Sequence, residues 1–157
     1  MTEQEKRDYF NFERTSQSKV DPYYLMYFTS IDRSVSCKQF DCIIDGTEKV
    51  EEKFRTVERN DILLEMIQDL QTNAPGWFYE TQCDYLHYIF MQDTEFKKLY
   101  RFDWKKFKPW CYEFFKNNKH PYTVVSPKGW GITLNLSVPI NAIPQYLYAV
   151  ITKEVCF

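Results

Sequence analysis

Glycine and histidine are both scarce in this chain of 157 residues. It has four glycines, two histidines (His87 and His120) and no segment rich in glycine and serine. A Gly-rich phosphate-binding loop is therefore excluded, and neither a flexible linker nor a low-complexity segment is expected. No serine or cysteine stands in a recognisable nucleophile motif, so acyl transfer has no support in the sequence.

Cysteine usage and hydropathy favour one cellular compartment for the protein. The five cysteines, at positions 37, 42, 83, 111 and 156, are odd in number and include no Cys-x-x-Cys pair. That pattern favours free thiols in a reducing compartment and gives no zinc-like ligand spacing. No apolar run approaches the ~20 residues that span a bilayer, and the polar N-terminus has no signal-peptide core. We therefore expect a soluble, cytoplasmic protein without a membrane partner.

Hydrophobic residues make up 44% of the chain and aromatic residues 18%, enough to bury a substantial core. We interpret residues 1–157 as one domain, because the length suits a single compact unit and no internal repeat is visible. The net charge of −2 conceals an asymmetry. Residues 1–95 hold ten basic and 19 acidic side chains, whereas residues 96–119 hold eight basic and two acidic ones.

The basic segment 96–119 is the candidate nucleic-acid-binding surface, because phosphates are bound by clustered lysine and arginine. Its aromatic side chains suit stacking on unpaired bases. The alternative is an amphipathic helix with its aromatic residues in the core and its lysines in water, and both can hold together. The candidate phosphate-binding residues are Lys97, Lys98, Arg101, Lys105, Lys106 and Lys108.

Local patterns predict an α+β fold with one twisted, mixed or mostly antiparallel sheet flanked by two helices. Thr2 and Glu5 form a capping-box pattern that predicts a helix over residues 2–14. Strands are predicted at 22–36, 39–44, 48–55, 77–82, 83–91, 122–127 and 131–138. A second helix is predicted from Asp103 to Phe115, and a short helical turn with a final strand within 139–157. Residues 60–70 fit either a helix or a buried strand.

The most informative segment is QFDCIIDGTEKVEEKFR, in which Asp45-Gly46-Thr47 predicts a hairpin turn. Asp41 lies before the turn, and Glu51 and Lys53 lie after it on one face of their strand. Two carboxylates can hold a divalent metal, and a lysine beside them can orient water or bind phosphate oxygens. A loop with an odd number of residues places Asp41 opposite Glu51, whereas a two-residue turn places it opposite Val50. The competing interpretation is an exposed hairpin with cross-strand ion pairs.

Asp41 followed by Glu51-Glu52-Lys53 resembles the D…(D/E)xK signature of the PD-(D/E)XK nuclease superfamily, especially phage and bacterial members with a glutamine two residues before the aspartate. Leu64-Glu65-Met66, Gly76-Trp77 and Cys83-Asp84-Tyr85 add to the resemblance, which covers residues 10–90. It implies a restriction-endonuclease-like core in which residues 60–70 form a strand. It further implies a magnesium or manganese site at Asp41 and Glu51, with Lys53 as the catalytic lysine. Glu13 and Gln39 would be auxiliary residues.

Three further residues leave alternatives open. Glu65 is either a carboxylate that supports the ligands or a surface residue of an amphipathic helix. Arg55 either reaches a phosphate or forms a salt bridge. Glu52 stands where the signature is usually apolar, and a charge on the core face must be paired, with Arg33, Lys38 and Arg59 as candidates. Phe40 also stands where the family often has proline.

The sequence thus predicts a metal-dependent endonuclease, with DNA favoured over RNA by the resemblance alone. A second interpretation is a catalytically degenerate nuclease-fold module that binds a protein partner or nucleic acid, motivated by the acidic balance of residues 1–95. A third is a module that holds single strands without chemistry. A homodimer is compatible with each of them.

Overall fold

The computed structural model describes residues 2–117, 122–128 and 131–153, without the side chains of 122–128 and Gly131. The fold is α+β, with a mixed six-stranded sheet flanked by helices and a second, four-stranded sheet. The helices are α1 (Glu3–Tyr27), α2 (Trp77–Glu80) and α3 (Trp104–Asn117), and two 3-10 turns span Ile140–Ala142 and Gln145–Leu147. The strands are β1 (Ile31–Asp32), β2 (Cys42–Ile44), β3 (Glu48–Arg55), β4 (Asp61–Asp69), β5 (Ala74–Pro75), β6 (Tyr85–Gln92), β7 (Glu95–Asp103), β8 (Tyr122–Lys128), β9 (Gly131–Pro139) and β10 (Tyr148–Thr152).

Helix α1 begins at the predicted capping box but runs to Tyr27, well beyond the predicted end at residue 14. The Thr2 side chain accepts a hydrogen bond from the Glu5 N–H, and the Glu5 carboxylate accepts one from the Thr2 N–H. The strand predicted at 22–36 was wrong for most of its length, because residues 22–27 belong to α1 and only Ile31–Asp32 form a strand. Val20 and Tyr24, one helical turn apart, are fully buried against the six-stranded sheet, and this packing outweighs the strand preference of the aromatic residues.

The six-stranded sheet has the order β1-β2-β3-β6-β7-β10, with β3 and β6 parallel and its other neighbouring strands antiparallel. The hairpin of β2 and β3 closes through Asp45-Gly46-Thr47, with Ile44 paired to Glu48 and Cys42 to Val50. The loop therefore has three residues, which is the odd case. Asp45 and Gly46 both have positive φ. The Asp45 carboxylate accepts hydrogen bonds from the Thr29 N–H and hydroxyl, which ties the turn to the segment after α1.

The ambiguous segment 60–70 forms β4, the strand that the family resemblance implied. It pairs with β5 and β9 in the second sheet, whose order is β5-β4-β9-β8. The strand predicted at 77–82 was wrong, because Trp77–Glu80 form the helical turn α2. Its Phe78 is fully buried, and its ring contacts the rings of Trp104 and Tyr112.

Strand β7 was not predicted, although it contributes Leu99 and Phe102 to the core. Its neighbour β6 corresponds to the predicted strand at 83–91, and α3 to the predicted helix from Asp103, with Pro109 inside it. The two 3-10 turns and β10 match the helical turn and final strand expected in 139–157 as far as residue 153.

Two hydrophobic clusters lie on opposite faces of the six-stranded sheet. One contains Val50, Ile89 and Leu99 together with Val20 and Tyr24 of α1. The other contains Leu86, Tyr88 and Phe102 together with β4 and α3. Odd-numbered residues of β3 therefore face the second sheet, because Glu51 pairs with Leu86 and Lys53 with Tyr88.

Cys37, Cys42, Cys83 and Cys111 are free thiols, whereas Cys156 and His120 lie outside the described residues. Among the described helices, none combines the length and apolar character needed to cross a bilayer.

Candidate functional site

Asp41, Glu51 and Lys53 line one cavity of about 680 Å³ between the hairpin, the first half of α1 and the second sheet. Other charged and polar residues around it are Glu13, Lys38, Glu52, Arg55, Glu65, Gln68, Glu80 and Asn135. The hairpin explains the convergence, since Glu51 and Lys53 alternate to the same face and Asp41 directly precedes β2. The sequence-predicted trio is therefore brought together in space.

The Asp41 carboxylate is held by the backbone of β3. Its Oδ2 accepts a hydrogen bond of 2.7 Å from the Glu52 N–H, while the Asp41 N–H donates to the Val50 carbonyl at 2.8 Å. The carboxylate thus takes the place of a carbonyl acceptor where the β2–β3 ladder ends. Burial raises the pKa of Asp41, against the lowering influence of Lys53 and of this hydrogen bond.

Glu51 and Lys53 form an ion pair, with 2.5 Å between Glu51 Oε1 and Lys53 Nζ. Burial raises the pKa of Glu51 to about 7, Lys53 opposes this rise, and the Asp41 carboxylate adds to it. Burial by itself lowers the pKa of Lys53, but Glu51 and Asp41 together raise it above its ordinary value. The ammonium also lies 5.1 Å from the centroid of the Trp77 ring.

Two other predicted carboxylates line the same cavity from different elements. Glu13 comes from α1 and Glu65 from β4, where it is buried, so the helical-surface interpretation of Glu65 was wrong. Gly76 packs closely on Glu65, since a Cβ atom at Gly76 would lie 2.1 Å from the main-chain carbonyl oxygen of Glu65. Glycine is therefore required at this position, beside the backbone of Glu65.

Arg55 and Gln39 differ in their position relative to the cavity. Arg55 lines the cavity and also forms the salt bridge that was its alternative, 3.2 Å from Asp61. Gln39 is absent from the described lining of the cavity. Its main-chain carbonyl accepts hydrogen bonds from the Thr81 hydroxyl and the Gln82 N–H, which fixes the segment before Asp41.

The six basic candidates are spread over two elements, and none of them is among the described residues that line the cavity. On β7, Lys97 and Lys98 both pair with Glu58, and Arg101 pairs with Glu48. On α3, Lys105 and Lys106 are exposed, with longer ion pairs of 3.8 and 3.5 Å, and Lys108 lies over the rings of Phe78 and Trp104.

Glu52 is 1% exposed and points away from Lys53, toward α1. Of its three candidate partners Arg33 is the actual one, with Nη1 2.5 Å from Glu52 Oε1, and it also pairs with Asp21 of α1. The Tyr24 hydroxyl donates to Glu52 Oε2 at 2.7 Å. This buried ion pair joins α1 to the strand that carries Glu51 and Lys53.

The network continues through His87, whose ring is fully buried. Arg101 can only donate, so its contact of 2.9 Å places the acceptor at His87 Nε2. His87 Nδ1 then carries the proton and donates to the Tyr24 hydroxyl at 2.8 Å. Burial, with Arg101 and Arg33, lowers the pKa of His87 and keeps the ring neutral. Sequence patterns gave no signal for the Tyr24 and Arg101 contacts.

The donor set suits a hard divalent cation. In the described part of the chain, no group of three or more His, Cys, Asp or Glu side chains is arranged around one point as a metal site. Magnesium, however, is usually held by only one or two carboxylates, with water and substrate oxygens completing its shell. Asp41 and Glu51 supply two carboxylates whose raised pKa values a cation between them would lower. The residues present therefore fit such an ion.

Glu51 should make the stability of the protein depend on pH. Because its folded pKa of about 7 exceeds the ordinary value of 4.5, the unfolded state loses this proton first as pH rises. The free energy of unfolding should therefore fall by roughly 3 kcal/mol between pH 4.5 and 7 from this residue. Urea denaturation of Glu51→Gln should show a correspondingly smaller fall. Glu113→Gln, exposed on α3, is the control, and identical curves for wild type and Glu51→Gln would contradict the assignment.

Comparisons of the chain with protein-family models, with curated proteins and with solved structures each find no match.

Proposed function

We propose that this protein is a metal-dependent nuclease that hydrolyses phosphodiester bonds of nucleic acid, with DNA as the favoured substrate. The observation that carries the proposal is the convergence of Asp41, Glu51 and Lys53 on one cavity through a three-residue hairpin loop. The proposal includes a restriction-endonuclease-like core of the PD-(D/E)XK type. The mixed six-stranded sheet flanked by helices is compatible with that core.

Asp41 and Glu51 are proposed to hold Mg²⁺ or Mn²⁺. When bound, the cation supplies Lewis acidity, which polarises the phosphate and lowers the pKa of a bound water. Glu51 must lose its proton to serve as a ligand, and its pKa of about 7 places that step near neutral pH. Asp41 is held in position by the Glu52 N–H.

Lys53 is proposed to orient the attacking water or to stabilise charge on the phosphate oxygens. Its raised pKa keeps it cationic, and its ion pair with Glu51 holds the ammonium beside the proposed ligands. A lysine in this state cannot act as a general base, because it has no free electron pair at neutral pH. Its contribution is therefore positioning and electrostatic stabilisation.

Lys105 and Lys106 are proposed to contact the nucleic-acid backbone from α3. Their exposed side chains make only long ion pairs, so little would be lost when phosphate replaces the carboxylate partner. Lys97 and Lys98 share Glu58, which offsets part of their charge. Binding through these side chains should weaken as salt concentration rises.

Calorimetric titration with Mn²⁺ tests the proposal directly. We expect binding at about neutral pH with release of a proton from Glu51, so that the measured heat varies with the ionisation enthalpy of the buffer. DNA cleavage should require Mn²⁺ or Mg²⁺ and stop on addition of EDTA. Absence of metal binding together with a tight protein partner would overturn the proposal in favour of a degenerate binding module.

A further inference from the structure

Four of the aromatic residues that line the cavity come from two helices. We call Tyr9, Phe10 and Phe12 of α1 together with Trp77 of α2 the aromatic wall. Tyr9 is 45% exposed and Phe10 58%, although both are large apolar residues beside a concave site. Their rings meet edge to face, with 5.8 Å between centroids. Phe12 instead packs on the cluster between α1 and the sheet, so it has a structural role as well.

The wall is close to the carboxylates and not a separate surface. Burial is the largest of the effects that raise the pKa of Tyr9, and the charges of Glu13, Glu65 and Asp41 also raise it. The Lys53 ammonium lowers it. Those charges influence Tyr9 because its hydroxyl lies within reach of them. From α2, the Trp77 ring approaches the Lys53 ammonium to 5.1 Å. Tyr9 and Trp77 therefore lie beside the charged residues of the proposed reacting centre.

The cavity divides into two chemical parts. Its carboxylates are Glu13, Asp41, Glu51, Glu65 and Glu80, and its cations are Lys38, Lys53 and Arg55. A phosphate approaches this acidic part only together with a metal ion, which suits a nucleotide bound by its backbone. The aromatic wall carries no charge, and its two exposed members, Tyr9 and Phe10, suit contact with a neutral planar group. A nucleotide has this combination, with an anionic phosphate next to a flat base.

We propose that the substrate of this site has an unpaired nucleotide next to the scissile phosphate, whose base stacks on Tyr9 and Phe10. This inference rests on the proposed nuclease function, since the phosphate is placed by the Asp41 and Glu51 site. In a duplex the base is paired and stacked on its neighbours, so it cannot present its face to the wall without being extruded. Single-stranded nucleic acid presents such bases at no unpairing cost.

The test is binding and cleavage of matched probes by the full chain. Binding is measured in the presence of Mn²⁺ with Lys53→Met, which is expected to keep the carboxylate ligands and to cleave slowly. The probes are fluorescent oligodeoxythymidine and oligouridine of about 12 nucleotides and a duplex of the same length. Tyr9→Ala/Phe10→Ala in this background should weaken single-strand binding about tenfold or more. Tyr9→Phe/Phe10→Tyr keeps both rings and should restore it. Tyr146→Ala, also exposed but outside the cavity, is the control.

Binding of the single strand in preference to the duplex, lost in the double alanine variant and restored by the aromatic exchange, supports the inference. The oligouridine arm shows whether DNA or RNA supplies the nucleotide. Equal or tighter duplex binding, or unchanged affinity in the double alanine variant, overturns it. The two proposals fail separately: cleavage of duplex without dependence on Tyr9 and Phe10 removes only this inference. Aromatic-dependent single-strand binding without metal-dependent cleavage removes the nuclease function, and with it the scissile phosphate, and leaves Tyr9 and Phe10 as a binding surface for unpaired bases.

Discussion

Asp41→Asn and Lys53→Met are each expected to slow metal-dependent DNA cleavage by about 10²-fold or more. The first substitution keeps a side-chain oxygen for the Glu52 N–H but removes the negative charge proposed to hold the cation. The second keeps most of the side-chain volume beside Trp77 while removing the ammonium. Initial cleavage rates at saturating Mn²⁺, compared with wild type, give the measurement.

The two variants should separate metal binding from chemistry. Asp41→Asn is expected to weaken Mn²⁺ binding in calorimetry, whereas Lys53→Met should leave the carboxylate ligands in place and reduce mainly the rate. Asp93→Asn and Lys19→Ala, which lie outside the cavity, are matched controls that should cleave as wild type does. Circular dichroism and thermal melting establish that each variant is folded. Undiminished cleavage by both folded variants would remove the catalytic assignment.

Arg33→Ala is expected to lower the free energy of unfolding by about 3–5 kcal/mol, the usual cost of leaving one partner of a buried ion pair unpaired. Glu52 would remain buried with only the Tyr24 hydroxyl as a partner, and Asp21 would lose its pairing with Arg33. Burial already raises the pKa of Glu52 despite Arg33. Urea denaturation at pH 7 gives the measurement, and Arg59→Ala, an exposed arginine that was also a candidate partner, is the control.

A second substitution identifies the cause of this loss. Glu52→Gln in the Arg33→Ala background should recover part of the stability, because it removes the unpaired charge and keeps an acceptor for Tyr24. The loss in Arg33→Ala should also be smaller at low pH, where Glu52 binds a proton. A loss below about 1 kcal/mol, or one equal at low and neutral pH, would show that the ion pair does not join α1 to β3 as the geometry indicates.

Local chemistry made part of the fold predictable. The capping box at Thr2 and the Asp45-Gly46-Thr47 turn are satisfied by neighbours within a few residues, so the start of α1 and the β2–β3 hairpin follow from short segments. The odd loop in turn places Glu51 and Lys53 on the side where Asp41 lies. The three central residues of the candidate site could therefore be proposed from the sequence, because they belong to one hairpin.

Elements that depend on distant packing were not predictable in this way. Residues 22–27 continue α1 because Tyr24 is buried against the sheet and bonded to Glu52 and His87. Residues 77–80 turn into α2 because Phe78 is inserted among rings of α3. Strand β7 was missed because its charged side chains obscure the alternation of its buried ones.

The sequence by itself determined a hairpin with Glu51 and Lys53 on one face of its second strand, since strand alternation and turn chemistry act over a few residues. Only the structure decided that the loop has three residues and so brings Asp41 to that face. It also decided which of three cations neutralises Glu52, which residues line the cavity, and that Glu13 and Glu65 face the same space as Asp41. Those outcomes depend on contacts between segments far apart in the chain. Their geometry is set by the packing of whole helices and sheets, which no short pattern encodes.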